Sequence, residues 1–536
     1  MQEALHGIDL AIIAFYLIGI VALGCWWGLR SRGKGGSEGE GYFLAGHNLR
    51  WPMIGLALFA TNISTVHLVS LAQEGYTNGL AYGNFEWMAS LTLVILAVFF
   101  APFYVRSRVA TLPDFLERRY NRACRDWLSV LSMISAIFIH IGFTIYAGAV
   151  VLEGLFGIPL MVSIVGVAAL TGLYTIAGGL MAVVITESVQ TVVLLLGAFI
   201  LTGISYYRVG GWEGIAATVE PVQLTMLRPA GDASGLPWYA VFLGYPVIGI
   251  WYWCTDQTIV QRVLGAKDEH HARLGPLFAG FIKVLPVFIF VLPGLMCAAL
   301  IKQGKLPDTL DNSEHVYSFM IMNLLPVGLR GIVVAALLAA LMSTVSGALN
   351  SAATLFAHDI YKRFRPRATD HTLVRVGRIV TFVGMVLAVA WSPFLGRFPT
   401  VFQGINAAIC YIAPPITVVF VFGVFWKRAN ARAALATLLC GSSLGLIVFI
   451  LDFFKLFGWN VPFMMAGFYL ALICSVIMVG VSLAIPTPLT AEQQKLVWDS
   501  PMAAFKDDHE GSIFSDYRAI ALVLLLIMAG LYVIFG

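Results

Sequence analysis

The stretch LFATNISTVHLVSLAQEGY (residues 58–76) lies in a segment apolar enough to cross a lipid bilayer, yet it carries many polar side chains. An unpaired polar group in hydrocarbon costs free energy, so these side chains must face a cavity, an ion or other protein. Short polar side chains also hydrogen-bond to nearby backbone and compete with helix geometry, which predicts a break in this helix. The polar residues include Thr61, Asn62, Ser64, Thr65, His67, Gln73 and Glu74.

The composition is that of a polytopic membrane protein. The chain has 536 residues, 59% of them hydrophobic and 12% charged, and its mean hydropathy is +0.85, which ordinary water-soluble proteins do not approach. Apolar runs long enough to cross a bilayer recur from end to end, and they predict an all-α protein with about fourteen transmembrane helices. The predicted spans are 9–29, 51–75, 83–105, 128–153, 159–177, 181–206, 239–263, 275–301, 327–358, 374–392, 400–425, 432–452, 462–485 and 518–536.

Basic residues in alternate loops predict the orientation in the membrane. Arg30 and Arg32 follow the first span, and later loops of the same side hold Arg118 and Lys362 among other cations. These loops are expected in the cytoplasm, so an even number of spans places both termini outside. The net charge of +4 then reflects topology and not a nucleic-acid partner. The N-glycosylation sequon at residues 62–64 lies inside a predicted span, and no predicted outer loop carries another. This absence from the outer loops favours a bacterial inner membrane.

Polar residues at membrane depth concentrate in the central spans, which predicts two inverted repeats of five helices, each beginning with a broken helix. In the second half, GYPVIGIWYWCTDQ (244–257) places Gly244, Pro246 and Gly249 in the middle of a span. The predicted division is an N-terminal extra helix and loop (1–50), a first repeat (51–206), an outer loop (207–238), a second repeat (239–428) and additional C-terminal helices (429–536) with a cytoplasmic linker (486–517).

Two hydroxyl side chains in the ninth span, Ser343 and Thr344, are candidate ligands for an ion. Hydroxyls in membrane helices usually bond back to their own carbonyls or help helices pack, but a broken helix opposite them changes that expectation. With carbonyls released at Ala60 and Ile63 and the carbonyl of Ala340, they form a cage of five oxygens without a carboxylate. Such a cage suits a monovalent hard cation, and sodium is the natural occupant.

Eight stretches between residues 41 and 428 carry a resemblance to a known family. They are GYFLAG (41–46), FATNIS (59–64), FEW (85–87), TLPDFLERRY (111–120), AGGLMAVVITESVQ (177–190), WYWCTDQTIVQR (251–262), MSTVSGALNSAATLFAHDIYK (342–362) and PPITVVFVFGVFWKR (414–428). In their number and order, these stretches resemble the sodium/solute symporter family, and in particular its sodium–glucose cotransporter branch.

The resemblance implies a leucine-transporter-type core of two inverted five-helix repeats. It also implies sodium as the co-transported ion, held by the same five residues that the spacing indicates. Ala340 replaces a serine of some animal members, which leaves a second sodium site open. Glu187, where relatives often have aspartate, either attracts or relays the ion or is paired with a cation across helices.

For a sugar, the required chemistry is a ring of hydrogen-bonding side chains with an aromatic floor. The resemblance implies that His67, Glu86 and Lys283 bind hydroxyls, with Tyr252 beneath the sugar and Asn406 near its ring. Each residue has a plainer alternative: His67 can be a packing histidine, and Glu86 and Lys283 can form a structural ion pair. A lipid-facing carboxylate would cost several kcal/mol, so Glu86 is expected to be functional or paired.

Aromatic residues beside the expected site are candidates for binding and gating. Trp253 and Tyr252 lie too deep in their span for an interfacial belt, so Trp253 is also a candidate substrate-binding residue. Leu71, Phe85 and Phe402 resemble the outer hydrophobic gate of the family, and Tyr252 resembles the inner one. The alternative for such an aromatic set is ordinary core packing.

Two departures from the family pattern bear on the substrate. Gly249 stands where relatives present a polar side chain, and Asn406 stands where many have glutamine. Both shorten the reach toward one side of the ligand. The exact sugar therefore stays open, and another polyol such as inositol is an alternative to glucose or galactose.

The sequence as a whole predicts sodium-coupled import of a neutral sugar by alternating access. One alternative keeps the fold and changes the cargo to another polyol, sialic acid, an amino acid, a carboxylate or a vitamin. Another alternative is a sugar-gated sensor or ion leak that does not accumulate its ligand. An enzyme is not expected, because the sequence offers no nucleophile–base pair and no metal-ligand spacing.

Overall fold

The computed structural model describes residues 6–30, 42–232, 234–310, 312–397, 401–459, 461–505 and 516–536. These residues are almost wholly helical. Their only extended pairings are two isolated bridges, Leu49 with Ala266 and Arg228 with Pro237. The described part of the chain is therefore all-α, as its composition predicts.

Twenty helices, several of them extended through a π-helical turn, account for most of this architecture. They are α1 (Gly7–Arg30), α2 (Trp51–Asn62), α3 (Thr65–Asn78), α4 (Asn84–Ile95, continued by Leu96–Phe100 and Ala101–Ser107), α5 (Leu112–Arg119), α6 (Arg122–Ile134, continued by Ser135–Ile141 and Gly142–Phe156), α7 (Leu160–Ala177), α8 (Gly179–Val209), α9 (Gly211–Ala216), α10 (Trp238–Ile250, continued by Trp251–Thr255), α11 (Gln257–Leu264), α12 (Glu269–Ile282, continued by Val287–Val291 and Leu292–Lys302), α13 (Val316–Leu324), α14 (Leu329–Leu355, continued by Phe356–Tyr361 and Lys362–Phe364), α15 (Asp370–Trp391), α16 (Val401–Phe425), α17 (Ala431–Phe453), α18 (Phe463–Ala484), α19 (Ala491–Gln494) and α20 (Tyr517–Phe535).

Twelve helices in the described residues are long and apolar enough to span a bilayer. The predicted number of fourteen is therefore not confirmed. The difference has a local cause, because the predicted spans 51–75 and 239–263 are each made of two shorter helices. The first pair is α2 with α3, and the second is α10 with α11.

The break between α2 and α3 falls within the polar stretch that predicts it. Ile63 and Ser64 have extended backbone angles, with ψ of 105° and 173°. The Thr61 hydroxyl donates to the Ala57 carbonyl at 2.7 Å, which is the local competition expected of such side chains. Ser64 and His67 then form a capping box that begins α3. Carbonyls at the end of α2 are thereby released from the helix.

A second break separates α10 from α11. Pro246 lies inside α10, which continues through the π-helical turn Trp251–Thr255. Asp256 has an extended conformation and accepts a hydrogen bond from the Thr258 amide at 2.7 Å, so it caps α11. The two interrupted helices are those that the sequence assigns to the starts of the two repeats.

Helix α14 lies at the centre of the molecule. It packs against α1, α2, α7 and α8, and it is almost wholly buried, whereas α20 is mostly exposed. Small residues allow close contacts here: a Cβ added at Gly197 of α8 would lie 2.4 Å from the Cβ of Ala336. The Tyr174 hydroxyl of α7 donates to the Met342 carbonyl at 3.2 Å. This packing fixes the helix that carries Ser343 and Thr344 against the break in α2–α3.

Candidate ion and substrate sites

Five oxygen atoms predicted as cation ligands meet where α14 passes the break between α2 and α3. The Ser343 hydroxyl oxygen lies 2.8 Å from the carbonyl oxygen of Ala60, to which it donates, and 3.0 Å from that of Ala340. The Thr344 hydroxyl donates toward the carbonyl of Ile63 at 3.4 Å. All five residues are buried. We call these five oxygens the oxygen cage.

The oxygen cage contains neutral ligands only, namely three carbonyls and two hydroxyls. Two of the carbonyls come from the last residues of α2 and its C-cap, where the helix dipole adds partial negative charge. Among the described residues, no group of three or more His, Cys, Asp or Glu is placed to hold a metal ion. A neutral set of hard oxygens at membrane depth matches a monovalent cation better than a divalent one.

Glu187 on α8 lies next to the oxygen cage and forms a fully buried ion pair with Arg262 on α11. The Arg262 Nη2 to Glu187 Oε1 distance is 2.5 Å. The Thr61 hydroxyl oxygen lies 2.9 Å from the same carboxylate oxygen, and the Thr61 carbonyl accepts from Thr344 at 3.0 Å. The pairing with Arg262 accounts for the buried carboxylate without an ion, and Thr61 links the pair to the cage.

A cavity of about 140 Å³ opens beside the oxygen cage. Thr344 of the cage lines this cavity, and so does Asn62 at the end of α2. The six side chains predicted to bind the substrate also line it, namely His67, Glu86, Tyr252, Trp253, Lys283 and Asn406. The structure thus brings together side chains from α2, α3, α4, α10, α12 and α16 around one space.

A hydrogen-bonded network of four side chains crosses this cavity wall. Lys283 donates to the Glu86 carboxylate in a close ion pair and to the Asn62 side-chain oxygen at 2.5 Å. Asn62 in turn donates to the Tyr252 hydroxyl at 3.1 Å. The side chains of Lys283 and Glu86 are only 1% and 3% exposed, so their charges compensate each other and the wall is neutral.

The other predicted binding residues are held by contacts of their own. His67 accepts a hydrogen bond at Nδ1 from the Ser64 amide at 3.3 Å, which leaves Nε2 as the N–H donor of a neutral ring. Trp253 is buried, and its ring centroid lies 5.5 Å from the Lys283 ammonium. That distance allows a cation–π contact, which fixes both side chains. His67 and Trp253 therefore contact the cavity with defined orientations.

Three of the four predicted gate residues, Leu71, Phe85 and Tyr252, line the cavity. The ring of Phe85 stacks on that of Tyr82, with centroids 6.0 Å apart. The side chain of Phe402, the fourth, lies outside the described part of the structure. These placements are compatible with packing as well as gating, so the gate roles stay predictions.

Several site residues are absent from the predicted set. Asn62 and Tyr245 line the cavity, and Tyr245 donates to the Phe85 carbonyl at 2.9 Å. His140 also lines it, and its Nε2 lies 3.5 Å from the carboxylate of Asp256. The sequence marks Asn62 as a polar residue at membrane depth but assigns it no part in substrate binding. For Tyr245 and His140, the sequence gives no signal that separates them from core residues.

The fold, the oxygen cage and the adjacent cavity define a class of protein, namely membrane transporters that couple a cation to a small solute. Comparisons with known proteins agree with this class. The family model described as "Sodium:solute symporter family" matches residues 42–441. The chain belongs to this family. It is a sodium-coupled symporter and a multi-pass membrane protein, with Na⁺ as the co-transported ion.

Curated relatives cover most of the chain. It is 36% identical over 483 residues to sodium/myo-inositol cotransporter 2 of Mus musculus, covering 84% of this chain and 71% of the relative. It is also 36% identical over 480 residues to sodium/glucose cotransporter 4 of Danio rerio, covering 84% and 72%. Relatives of this similarity thus carry the names of two different polyol substrates.

Solved structures confirm the leucine-transporter-type fold. A Na⁺-coupled sialic acid symporter in a substrate-bound, outward-open state aligns with a TM-score of 0.78 at 21% identity, covering 90% of this chain and 99% of that chain. Mhp1, a transporter of the nucleobase-cation-symport-1 family, aligns with a TM-score of 0.55 at 14% identity, covering 85% and 97%. At these identities the likeness concerns the fold alone.

Proposed function

We propose that this protein imports a neutral sugar or cyclic polyol together with sodium. The observation that carries the proposal is the position of Thr344, whose hydroxyl contacts the released carbonyls of α2 and which also lines the cavity. An ion that orders the α2–α3 break would therefore also order a wall of the substrate cavity. Such shared residues give the two ligands a route to affect each other's affinity.

The charge balance of the cavity favours a neutral substrate. Glu86 and Lys283 neutralise each other, so an anionic solute would find no uncompensated cation at this wall. The same pair, together with Asn62 and His67, offers several donors and acceptors to hydroxyl groups. Tyr252 and Trp253 offer aromatic surface to the apolar face of a sugar ring. Asn406 is proposed to lie near that ring.

Sodium supplies the driving force in this proposal. One ion that crosses 100 mV contributes about 2.3 kcal/mol, and a tenfold gradient contributes about 1.4 kcal/mol more. Their sum of roughly 3.7 kcal/mol supports several-hundred-fold accumulation of the solute. Sodium binds first at the oxygen cage and favours the outward-open state; the solute then binds, the outer gate of Leu71, Phe85 and Phe402 closes, and the inner side at Tyr252 opens.

Glucose, galactose and myo-inositol are the proposed substrates. The named relatives support both a hexose and an inositol, and the absence of a side chain at Gly249 and the short Asn406 are compatible with either. Sialic acid or an amino acid would need a counter-charge that Glu86 opposes. A sensor or ion leak remains a separate outcome, since it would bind the same ligands without accumulating them.

The proposed setting is a bacterial inner membrane with both termini outside. Basic residues on one side support this orientation: Arg118 belongs to α5, Arg122 begins α6, and Lys362 lies in the last turn of α14. The proposed division into two inverted repeats, 51–206 and 239–428, is supported by the two interrupted helices at their starts.

Uptake by purified protein in proteoliposomes tests the proposal. Radiolabelled D-glucose, D-galactose, myo-inositol, sialic acid and proline are presented with an inward sodium gradient, with potassium in place of sodium, and without a gradient. Sodium-dependent accumulation of a neutral polyol supports the proposal. Accumulation of sialic acid or proline alone would show that the substrate is not a neutral polyol. A polyol-evoked current without uptake would indicate a sensor.

A further inference from the structure

The wall of the substrate cavity that α10 provides is apolar around a single glycine. Tyr245, Ile248, Gly249 and Tyr252 follow one another at helical spacing and all line the cavity. Gly249 leaves a recess between the two tyrosines, at a place where the sequence resemblance leads one to expect a polar side chain. The recess is not empty, because the ring of Tyr245 leans over it.

A side chain at position 249 would collide with that ring. A Cβ added at Gly249 would lie 2.6 Å from Cε1 and 3.1 Å from Cδ1 of Tyr245, and 2.8 Å from Cγ2 of Thr92. Real Cβ atoms essentially never approach so closely, so a neighbour would have to move. Tyr245 lines the cavity, and a ring displaced from Gly249 would narrow the space in which a substrate binds.

Tyr245 is held in this position by further contacts. Its hydroxyl donates to the Phe85 carbonyl at 2.9 Å, and its ring makes an edge-to-face contact with that of Phe85 at a centroid distance of 6.0 Å. The residue is buried. Because Glu86 follows Phe85 directly, the Tyr245 hydroxyl also fixes the backbone beside the predicted hydroxyl-binding carboxylate.

We propose that Tyr245 is a specificity-determining residue, whose ring packs against a C–H face of the substrate and excludes ring substituents larger than a hydroxyl. Gly249 is the position that permits this placement. The inference rests on the proposed transport of a neutral polyol, whose ring carries both hydroxyl edges and C–H faces. In this arrangement Glu86, Lys283 and Asn62 bind hydroxyls, and the Tyr245–Gly249 wall selects by shape.

Uptake competition in proteoliposomes tests the inference, with D-glucose, myo-inositol and the mono-O-methyl ethers of D-glucose as probes. In Gly249→Ala, the concentration of unlabelled D-glucose or myo-inositol that halves the uptake of labelled substrate should rise by about tenfold or more. The sodium concentration for half-maximal uptake should change by less than about twofold. Tyr245→Leu should admit at least one O-methyl ether that the parent protein rejects. Tyr245→Phe keeps the ring and should reject the same ethers as the parent.

The double variant Gly249→Ala/Tyr245→Leu separates a steric effect from misfolding. Removing the ring relieves the closer of the two clashes, the one with Tyr245, while the contact of the added methyl group with Thr92 remains. The double variant should therefore recover part of the loss and bind D-glucose or myo-inositol more tightly than Gly249→Ala alone. Additive losses in the double variant, or unchanged selection among the ethers in Tyr245→Leu, would overturn the inference and leave the proposed function standing. Failure of the parent protein to take up any polyol would overturn both.

Discussion

The Ser343 hydroxyl donates a hydrogen bond to the carbonyl of Ala60 at 2.8 Å, although the two residues lie on different helices and 283 positions apart. This contact joins the central helix α14 to the end of α2, at the point where the polar stretch interrupts the helix. It places an alcohol oxygen beside a peptide oxygen at the interrupted end of α2. The contact is the physical basis for the proposed sodium site.

Ser343→Ala is expected to weaken sodium activation of uptake. The substitution removes one of five neutral ligands, and we expect the sodium concentration for half-maximal uptake to rise by about tenfold. Polyol affinity at saturating sodium should change much less. The measurement is the initial rate of polyol uptake as a function of external sodium.

Ser351→Ala is the matched control for that variant. Ser351 lies two turns further along α14, is buried, and its hydroxyl has no hydrogen-bond partner among the described residues. Sodium activation of Ser351→Ala should match that of the parent protein. Unchanged sodium activation in Ser343→Ala would show that the Ser343 hydroxyl is not a sodium ligand.

Glu86→Gln is expected to lower polyol affinity far more than sodium affinity. The substitution keeps the shape of the side chain but removes the charge that compensates Lys283 and weakens hydrogen bonds to hydroxyls. We expect a loss of polyol affinity of about 10- to 100-fold, measured by competition at saturating sodium. The reverse order, with sodium affinity reduced more, would contradict a substrate-binding role.

The double variant Glu86→Ala/Lys283→Ala distinguishes binding from structural pairing. Loss of one partner leaves a buried charge uncompensated, whereas loss of both removes the charge imbalance. If the pair binds the substrate, the double variant should fold, as judged by its thermal unfolding temperature, and yet fail to transport polyol. Normal transport by the double variant would make the pair structural.

Glu187→Gln is expected to destabilise the protein through Arg262. Breaking a fully buried pair by removing one partner costs about 3–5 kcal/mol, while replacing both partners by apolar groups is often neutral. Thermal unfolding should therefore show a lower midpoint for Glu187→Gln and a recovered one for Glu187→Leu/Arg262→Met, in which both partners are apolar. The double variant should show sodium activation of uptake close to that of the parent protein. If the double variant is stable but sodium activation is lost, Glu187 takes a direct part in ion binding.

Arg119→Met is expected to reduce stability without changing the choice of substrate. The buried Arg119 guanidinium donates to the carbonyls of Gly423, Trp426 and Ala429 at 2.7, 3.2 and 3.1 Å. These carbonyls lie at and beyond the end of α16 and would lose a buried donor, at a cost of roughly 2–4 kcal/mol. Thermal unfolding measures the effect, and the neighbouring, partly exposed Arg118 provides the control variant Arg118→Met.

Most of the fold follows from the sequence because bilayer thickness fixes helix length and lipid cannot satisfy backbone groups. The polar cluster at 61–65 also indicates where the first break lies. The number of spans is harder to predict, because hydropathy shows how long an apolar segment is but not whether it forms one continuous helix. In 239–263 the interruption occurs at Asp256, where the extended backbone of one residue separates α10 from α11.

The site was predictable where chemistry requires unusual residues. Glu86 and Lys283 are a carboxylate and an ammonium group at membrane depth, where few other groups can compensate their charges. The two side chains form an ion pair. Arg262 as the partner of Glu187 was not predictable, since nothing local connects two positions 75 residues apart. Tyr245 was missed because an aromatic residue in an apolar helix looks like core, and its position depends on the missing side chain of Gly249.

Binding of radioactive sodium to purified protein tests the central claim most directly. The parent protein and Ser343→Ala/Thr344→Ala are compared at equilibrium, with and without D-glucose or myo-inositol. We predict saturable sodium binding by the parent protein that a polyol strengthens, and a loss of affinity of about tenfold or more in the double variant. Equal sodium binding by the two proteins would contradict the account.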